Sequence, residues 1–190
     1  MGAINYRVVS LSERAVVVQF EPSISRENLE QVLSVQSALT QNQFEGFIES
    51  VPGYCSLTVY FDPWMVARSS TKGLYIFDKV FNYLRSLPLD SVLPLKPEVH
   101  QIPVCYDLKY GLDLLSLAES LKLSVDEIIS FHSSQEYTVY LIGFTPGFPY
   151  LGVLPSRLEC RRKENPRKKI PPGSVGIAGR QTGIYPFETP

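Results

Sequence analysis

Hydrophobic and polar residues alternate in parts of the first half of the chain and recur at helical spacing in others. In residues 56–61, Leu57, Val59 and Phe61 alternate with more polar residues, which is the pattern of a strand with one buried face. After Ser25, a residue type that caps helices, apolar side chains return every three or four residues. The pattern predicts strands at residues 4–9, 15–20, 47–51 and 56–61, one helix after residue 25 and a second helix over 71–87.

Two strand pairs, each followed by a helix, favour a small N-terminal α+β sandwich with both helices on one face of the sheet. A packed core accounts for every apolar residue in these elements, and this half carries no catalytic signal. Residues 88–97 contain three prolines and break both periodicities, as linkers do. We therefore predict two domains, residues 1–90 and residues 91–190.

The second half begins with a predicted strand at residues 100–106, in which Pro103 favours an edge position. Two short helices are predicted next, the first capped by Asp113 and the second by the capping box S-V-D-E at 124–127. His132 closes the apolar face of the second helix and is predicted to point toward a neighbouring sheet. A strand at 137–144 follows. The side chains predicted to face inward from the first helix are Leu114, Leu115, Ala118 and Leu121.

Glycine and proline are concentrated in the last quarter of the chain, where 7 of the 12 Gly and 8 of the 15 Pro lie from residue 143 onward. Glycine opens backbone angles closed to other residues and proline fixes φ, so this density specifies a path of turns. The pattern predicts a turn-rich β domain. Polar side chains among these turns suit an anion or an amide as ligand, although a β domain without a site shows the same turns. They are Arg162, Arg167, Lys169, Ser174, Gln181 and Thr182.

Composition excludes several classes of function. A net charge of −1 gives no reason to expect nucleic acid or an anionic membrane as partner, and no apolar run reaches the length of a membrane span. Three widely separated cysteines are typical of reduced thiols, which favours the cytoplasm. With two histidines and no clustered cysteines, no metal site is predicted. The standard Gly-rich nucleotide fingerprints are missing as well.

The remaining candidate is a cradle for an anion or an acyl group. Backbone N–H groups near Gly173, Ser174 and Gly179 are of the kind that converge on anions, and the three cations named above suit a carboxylate or a phosphate. His132 titrates near neutral pH and is the candidate for moving a proton. We expect these groups to surround one hollow.

Three segments of the second half carry a resemblance to a known family. They are HSS at 132–134, YTVYLIGFTPGFPYLG at 137–152 and RKENPRKKIPPGSVGIAGRQTGIYP at 162–186. Together they resemble the family of the bacterial B-type subunit of 5-oxoprolinase. That family includes the Kip-type inhibitor of a sporulation histidine kinase and subunit 1 of allophanate-hydrolase-like proteins. It is also similar to one half of the carboxyltransferase domain of biotin-dependent urea carboxylase.

The resemblance implies that the second domain is a cyclophilin-like β-barrel. It implies a homologous barrel subunit and a third protein as partners in the ATP-dependent opening of 5-oxoproline to glutamate, with ATP as the cofactor of the complex. Two alternatives remain: an inhibitor that binds a sensor histidine kinase, and a carboxyltransferase-like subunit of urea or allophanate metabolism. The matching motif residues are His132, Gly143, Phe144, Pro146, Gly147, Arg162, Arg167, Pro171, Gly173, Ser174, Gly179, Gln181, Thr182 and Tyr185.

Two departures from the family pattern are visible. Arg161 stands where a proline is usual before the basic pair. The family pattern also continues beyond I-Y-P at 184–186 through further strands, whereas this sequence stops at Pro190. If 190 residues is the full length, the barrel is expected to lack its closing strands and to expose a sheet edge.

Overall fold

The computed structural model describes residues 5–69, 75–89, 97–165 and 167–189. The chain forms two compact units, Met1–Lys96 and Pro97–Pro190. Most of the linker predicted at 88–97 lies outside the described residues. Within the described ranges, no helix is both long enough and apolar enough to cross a lipid bilayer.

The first unit contains a four-stranded antiparallel sheet with the strand order β1-β2-β4-β3. Three of the predicted strands are confirmed, while β1 begins later than the pattern indicated, and residues 1–4 lie outside the described part. The strands are β1 (Arg7–Ser12), β2 (Ala15–Gln19), β3 (Phe47–Pro52) and β4 (Ser56–Phe61).

Among the described residues of this unit, three helices accompany the sheet: α1 (Arg26–Gln41), α2 (Pro63–Arg68) and α3 (Ile76–Arg85). The Ser25 hydroxyl accepts a hydrogen bond from the Asn28 N–H and caps α1, as predicted. Helix α2 was not predicted, because six residues are too few to show a period. Residues 71–74, at the start of the helix predicted at 71–87, lie outside the described part of the chain.

One face of the first sheet carries the core of this unit. Val16, Val18 and Val59 are fully buried on that face, as are Leu39 of α1 and Leu84 of α3. Because alternate residues of a strand share a face, the helices cover one side of the sheet, and the predicted α+β layering is confirmed.

The second unit pairs two helices with a second four-stranded antiparallel sheet of order β5-β6-β8-β7. The capping box predicted at Ser124 is confirmed. The strand predicted at 100–106 is wrong, since these residues form no strand; Pro103 has no N–H to donate to a ladder. The elements are α4 (Leu114–Leu121), α5 (Val125–Ser133), β5 (Thr138–Ile142), β6 (Pro149–Gly152), β7 (Val175–Ala178) and β8 (Gln181–Ile184).

The core of the second unit lies between its helices and a short 3-10 turn, Ser156–Leu158. Ile128 of α5 and Leu158 are almost fully buried there. Leu114 and Ala118 of α4 face this core, one helical turn apart, whereas Leu115 is 61% exposed. The inward position predicted for Leu115 is therefore wrong, because one residue along a helix turns the side chain by about 100° away from its neighbour's face.

Candidate functional site

The register of β7 and β8 sends neighbouring predicted residues to opposite faces of the second sheet. Thr182 pairs with Ile177, while Gln181 pairs with Ala178 and Gly152. Side chains of successive strand residues point to opposite faces, so Thr182 and Gln181 cannot line the same surface. Ile177 packs against the core of the second unit, which places Thr182 on the core side and Gln181 on the other side.

On the core side, His132 lies in a chain of hydrogen bonds that we call the His132 chain. It runs from the Tyr106 hydroxyl to His132 Nδ1 at 2.5 Å, and from His132 Nε2 to Thr182 Oγ1 at 3.1 Å. Thr182 Oγ1 in turn donates to the Gly176 carbonyl at 3.0 Å. The threonine hydroxyl has one hydrogen, so it must accept from Nε2–H; Nδ1 is then bare and accepts from Tyr106.

The chemistry of the His132 chain follows from its burial. His132 is 7% exposed, and desolvation by burial lowers the pKa of its imidazole. Burial, followed by the charge of Tyr137, raises the pKa of the Tyr106 phenol, which keeps that hydroxyl a donor. The Tyr137 hydroxyl donates to the His132 carbonyl at 2.8 Å. The neutral imidazole thus ties α5 to β8 through Nε2 and to the segment before α4 through Nδ1.

On the opposite side of the sheet, which we call the glycine face, aromatic rings pack directly against the backbone of glycine residues. A Cβ added at Gly152 would lie 3.3 Å from the Tyr140 ring, and one added at Gly176 would lie 3.2 Å from the Tyr185 ring. At Gly183 an added Cβ would lie 2.9 Å from Cε1 of the ring of Phe148, with a still closer ring carbon beside it. These glycines are needed because a side chain would displace the rings.

The rings on the glycine face form one edge-to-face cluster. Phe148 lies 5.0 Å from both Tyr150 and Tyr185, and Phe144 lies 5.5 Å from Phe148, measured between ring centroids. Such arrangements are favourable for aromatic quadrupoles. Phe144 is 62% exposed and has φ of 61°, a left-handed conformation that is strained for a side chain of this size. Gly147, with φ of 79°, turns the same loop back toward β6.

The backbone amides predicted to converge on an anion are used within the protein. The Gly173 N–H donates to the Tyr185 carbonyl at 2.7 Å, and the Gly179 N–H donates to the Cys160 carbonyl at 2.7 Å. The Ser174 N–H donates to the Pro171 carbonyl at 3.2 Å. Gly173 and Gly179 also lie at opposite ends of the β7–β8 hairpin, so their amides do not point to a common centre.

The basic segment 161–169 divides into cations with and without a partner. Lys163 and Arg167 both bind the Asp113 carboxylate, Arg167 at 2.5 Å. The Asp113 side chain does not make the capping bond to α4 that the sequence predicted. Burial alone would raise the pKa of Asp113, but hydrogen bonds from these two cations and their charges hold it below its usual range. Lys169 binds Glu188 at 3.0 Å. These three cations therefore hold the segment in place.

The Asp113→Asn variant is expected to loosen this segment at little cost in global stability. The three side chains are 40–50% exposed, so the free energy of unfolding should fall by less than about 1 kcal/mol. Trypsin should nevertheless cut within 161–169 several times faster. A Glu188→Gln variant, which breaks only the Lys169 pair, is the control. Equal cleavage rates in Asp113→Asn and the parent chain would contradict this reading.

Arg161 and Arg162 have no hydrogen bond or ion pair to the described part of the chain, and both line a surface depression of about 720 Å³. We call it the arginine groove. Gln181 lines it from the glycine face, and its Nε2 is buried without a hydrogen-bond partner among the described residues. Burial raises the pKa of the Cys160 thiol, which keeps it protonated. The groove residues are Glu159, Cys160, Arg161, Arg162, Ala178, Gly179 and Gln181.

The residues predicted from sequence thus lie in several places. Of the predicted set, the arginine groove brings together Arg162, Gly179 and Gln181, whereas His132 and Thr182 meet on the core side of the sheet. Of the remaining predicted residues, Arg167 and Lys169 form ion pairs. Gly173, Ser174 and Tyr185 lie at the far end of the β7–β8 hairpin. Their roles in binding stay predictions.

Sequence reasoning missed the partners that complete these clusters. Tyr106 lies 26 residues before His132 and carries no motif that would link the two. Asp113 was interpreted as a helix cap only, because its distance of 50 residues from Lys163 hides the ion pair. Within the described ranges, no group of three or more His, Cys, Asp or Glu side chains is placed to hold a metal ion.

Comparison with known proteins places this fold in a family. Residues 6–190 match the family described as carboxyltransferase domain, subdomain C and D. The chain is also 36% identical over 190 residues to the B-type subunit of 5-oxoprolinase from Bacillus subtilis (strain 168), covering 98% of this chain and 79% of that protein. The chain belongs to the family of B-type 5-oxoprolinase subunits. The relative of the same name from Haemophilus influenzae is 37% identical over 183 residues, covering 96% of this chain and 81% of its own length.

A solved structure shares the architecture of this member of the B-type 5-oxoprolinase subunits. The crystal structure of TTHA0988 superposes with a TM-score of 0.77 and 33% sequence identity. The match covers 93% of this chain but only 33% of that one. The chain described here therefore corresponds to about a third of the longer protein.

Proposed function

We propose that this chain is the B-type subunit of a 5-oxoprolinase, an enzyme that opens the ring of 5-oxoproline to give glutamate. The observation that supports it most is the 36% identity along nearly the whole chain to the 5-oxoprolinase subunit of Bacillus subtilis. The reaction breaks the ring C–N bond and adds water across it. The hydroxyl goes to the carbonyl carbon and a proton to the nitrogen, so the product carries a new carboxylate and an amine.

The proposed enzyme works as a complex that hydrolyses ATP in the cytoplasm. A protein named as a subunit implies partners, and we propose a homologous barrel subunit and a third protein. The second unit of this chain is proposed to form part of a cyclophilin-like β-barrel. ATP would supply the driving force for ring opening. Because the sequence carries no standard phosphate-binding loop, we propose that the nucleotide is held mainly by a partner subunit.

Reconstitution tests the proposal. Mixing this chain with the homologous barrel subunit and the third subunit should give release of ADP that depends on 5-oxoproline, with glutamate formed in equal amount. Each component alone should be inactive. Absence of 5-oxoproline-dependent ADP release from the full mixture would contradict the proposal. Capture of a sensor histidine kinase, with inhibition of its autophosphorylation, would instead support the inhibitor alternative, and biotin-dependent carboxylation of urea the carboxyltransferase alternative.

A further inference from the structure

The cations of the basic segment separate into two groups by what surrounds them. Lys163 and Arg167 share the Asp113 carboxylate, and Lys169 pairs with Glu188. Arg161, Arg162 and Lys168 have no carboxylate partner among the described residues, and of these three only Arg161 and Arg162 line the depression. An anionic ligand in this depression would be attracted by both guanidinium groups.

Two further polar groups in the arginine groove define what kind of anion fits. Gln181 lines the groove, and its Nε2 is buried without a partner among the described residues, so the amide group must turn toward the groove to offer this costly unpaired donor to a ligand carbonyl. Glu159 also lines the groove, and a carboxylate can accept a hydrogen bond from a ligand N–H. A cationic pair, an amide donor and a carboxylate acceptor together match a carboxylate, a carbonyl and an N–H on one small molecule.

We propose that the arginine groove binds a lactam acid, with Arg161 and Arg162 holding its carboxylate, Gln181 donating to its ring carbonyl and Glu159 accepting from its ring N–H. The choice of lactam rests on the proposed function, whereas the carboxylate and amide contacts rest on the geometry. The groove volume of about 720 Å³ is within the range of roughly 300–1,000 Å³ found for small-molecule sites. This assignment gives the binding role to Arg162 and Gln181 and gives Arg167, Lys169 and His132 structural roles.

A phosphate is the other anion that two arginines attract, and the structure favours the carboxylate. Phosphate sites in proteins commonly use free backbone N–H groups or a helix N-terminus. The glycine of this groove, Gly179, already donates its N–H to the Cys160 carbonyl, and no residue of a helix lines the groove.

The test is a titration of the full 190-residue chain with 5-oxoproline, followed by NMR of the Gln181 side-chain amide and the backbone of 159–162. Saturable shifts confined to the groove are expected. The Arg162→Gln variant should weaken binding by about 10-fold or more, as expected for loss of a charge-assisted contact. Lys168→Gln removes the same charge from the same segment outside the groove and should change the affinity less than about 2-fold.

Three other probes decide between ligands. 2-Pyrrolidinone, which lacks the carboxylate, should bind at least about 10-fold more weakly than 5-oxoproline. ATP should not compete. No saturable shift with 5-oxoproline, equal weakening by Arg162→Gln and Lys168→Gln, or displacement by ATP would each overturn the proposal. If the reconstituted complex turns over 5-oxoproline but the groove does not bind it, the proposed function stands and only the groove assignment is rejected. If the groove binds 5-oxoproline but the complex does not turn it over, the groove assignment stands and the proposed function is rejected.

Discussion

The free energy of unfolding of the Gly183→Ala variant is expected to be about 2–3 kcal/mol lower than that of the parent chain. This is near the upper end of the usual cost of overpacking a core. A methyl group at this position would overlap the ring of Phe148 and lie 3.1 Å from the Pro149 carbonyl oxygen. Pro149 belongs to the paired strand β6, which holds its carbonyl oxygen in place, so the Phe148 ring would have to move. Because Phe148 contacts Phe144 and Tyr185, the whole aromatic cluster would shift with it.

Chemical denaturation followed by near-ultraviolet circular dichroism measures this effect and the disturbance of the rings. Gly143→Ala is the matched control, because its added methyl would meet a flexible methyl of Leu141 at 3.3 Å and a Tyr150 ring carbon at an ordinary contact distance of 3.8 Å. Its cost should stay below about 0.5 kcal/mol, since alanine also restricts the unfolded chain. Adding Phe148→Leu to Gly183→Ala should cost less than the sum of the two single changes. Strict additivity, or a Gly183→Ala variant as stable as the parent, would rule out the clash.

Replacing His132 with alanine is expected to lower the free energy of unfolding by about 3 kcal/mol at pH 7.5, through a cavity and a partly buried donor left unpaired. The unpaired donor is the Tyr106 hydroxyl, which loses its acceptor, while Thr182 keeps its bond to the Gly176 carbonyl. If His132 had only a catalytic role, the His132→Ala variant would be as stable as the parent chain. Thermal denaturation of the full chain measures the difference.

The His132 chain also predicts a dependence of stability on pH. The pKa of His132 in the folded protein lies below its unfolded value of about 6.5. The unfolded state therefore binds more protons between these two values, so stability is greatest above about pH 6.5 and declines as the pH falls toward the folded pKa. His132→Gln should flatten this decline. His100→Gln, which removes an exposed imidazole, is the control and should leave the decline in place. A decline that persists in His132→Gln would show that other groups cause it.

Local sequence signals predicted several elements because they depend on neighbours in the chain. The capping box at Ser124 uses only residues within one helical turn, and the alternation of Leu57, Val59 and Phe61 uses only one strand. The first sheet, with its helices on one face, could therefore be predicted without knowledge of long-range contacts. The strand predicted at 100–106 failed for the opposite reason, because a strand requires a partner that local sequence does not supply.

The candidate site was only partly predictable. Arg162 and Gln181 could be identified as candidates because their residue types suit an anion or an amide. The separation of Gln181 from His132 could not, since it depends on which face of β8 Gln181 occupies. A shift of one residue in register would exchange the faces of Gln181 and Thr182.

By itself the sequence determined the α+β class, the caps at Ser25 and Ser124, the glycine- and proline-rich path of the second unit and its family resemblance. Only the tertiary structure decided which cations have carboxylate partners and which face a groove, and which protonation state suits His132. These outcomes depend on pairs separated by 19 to 54 residues, such as Lys169 with Glu188, Tyr106 with His132 and Asp113 with Arg167. Folding brings such pairs together through the register of the strands and the packing of the helices, and no local pattern records either distance.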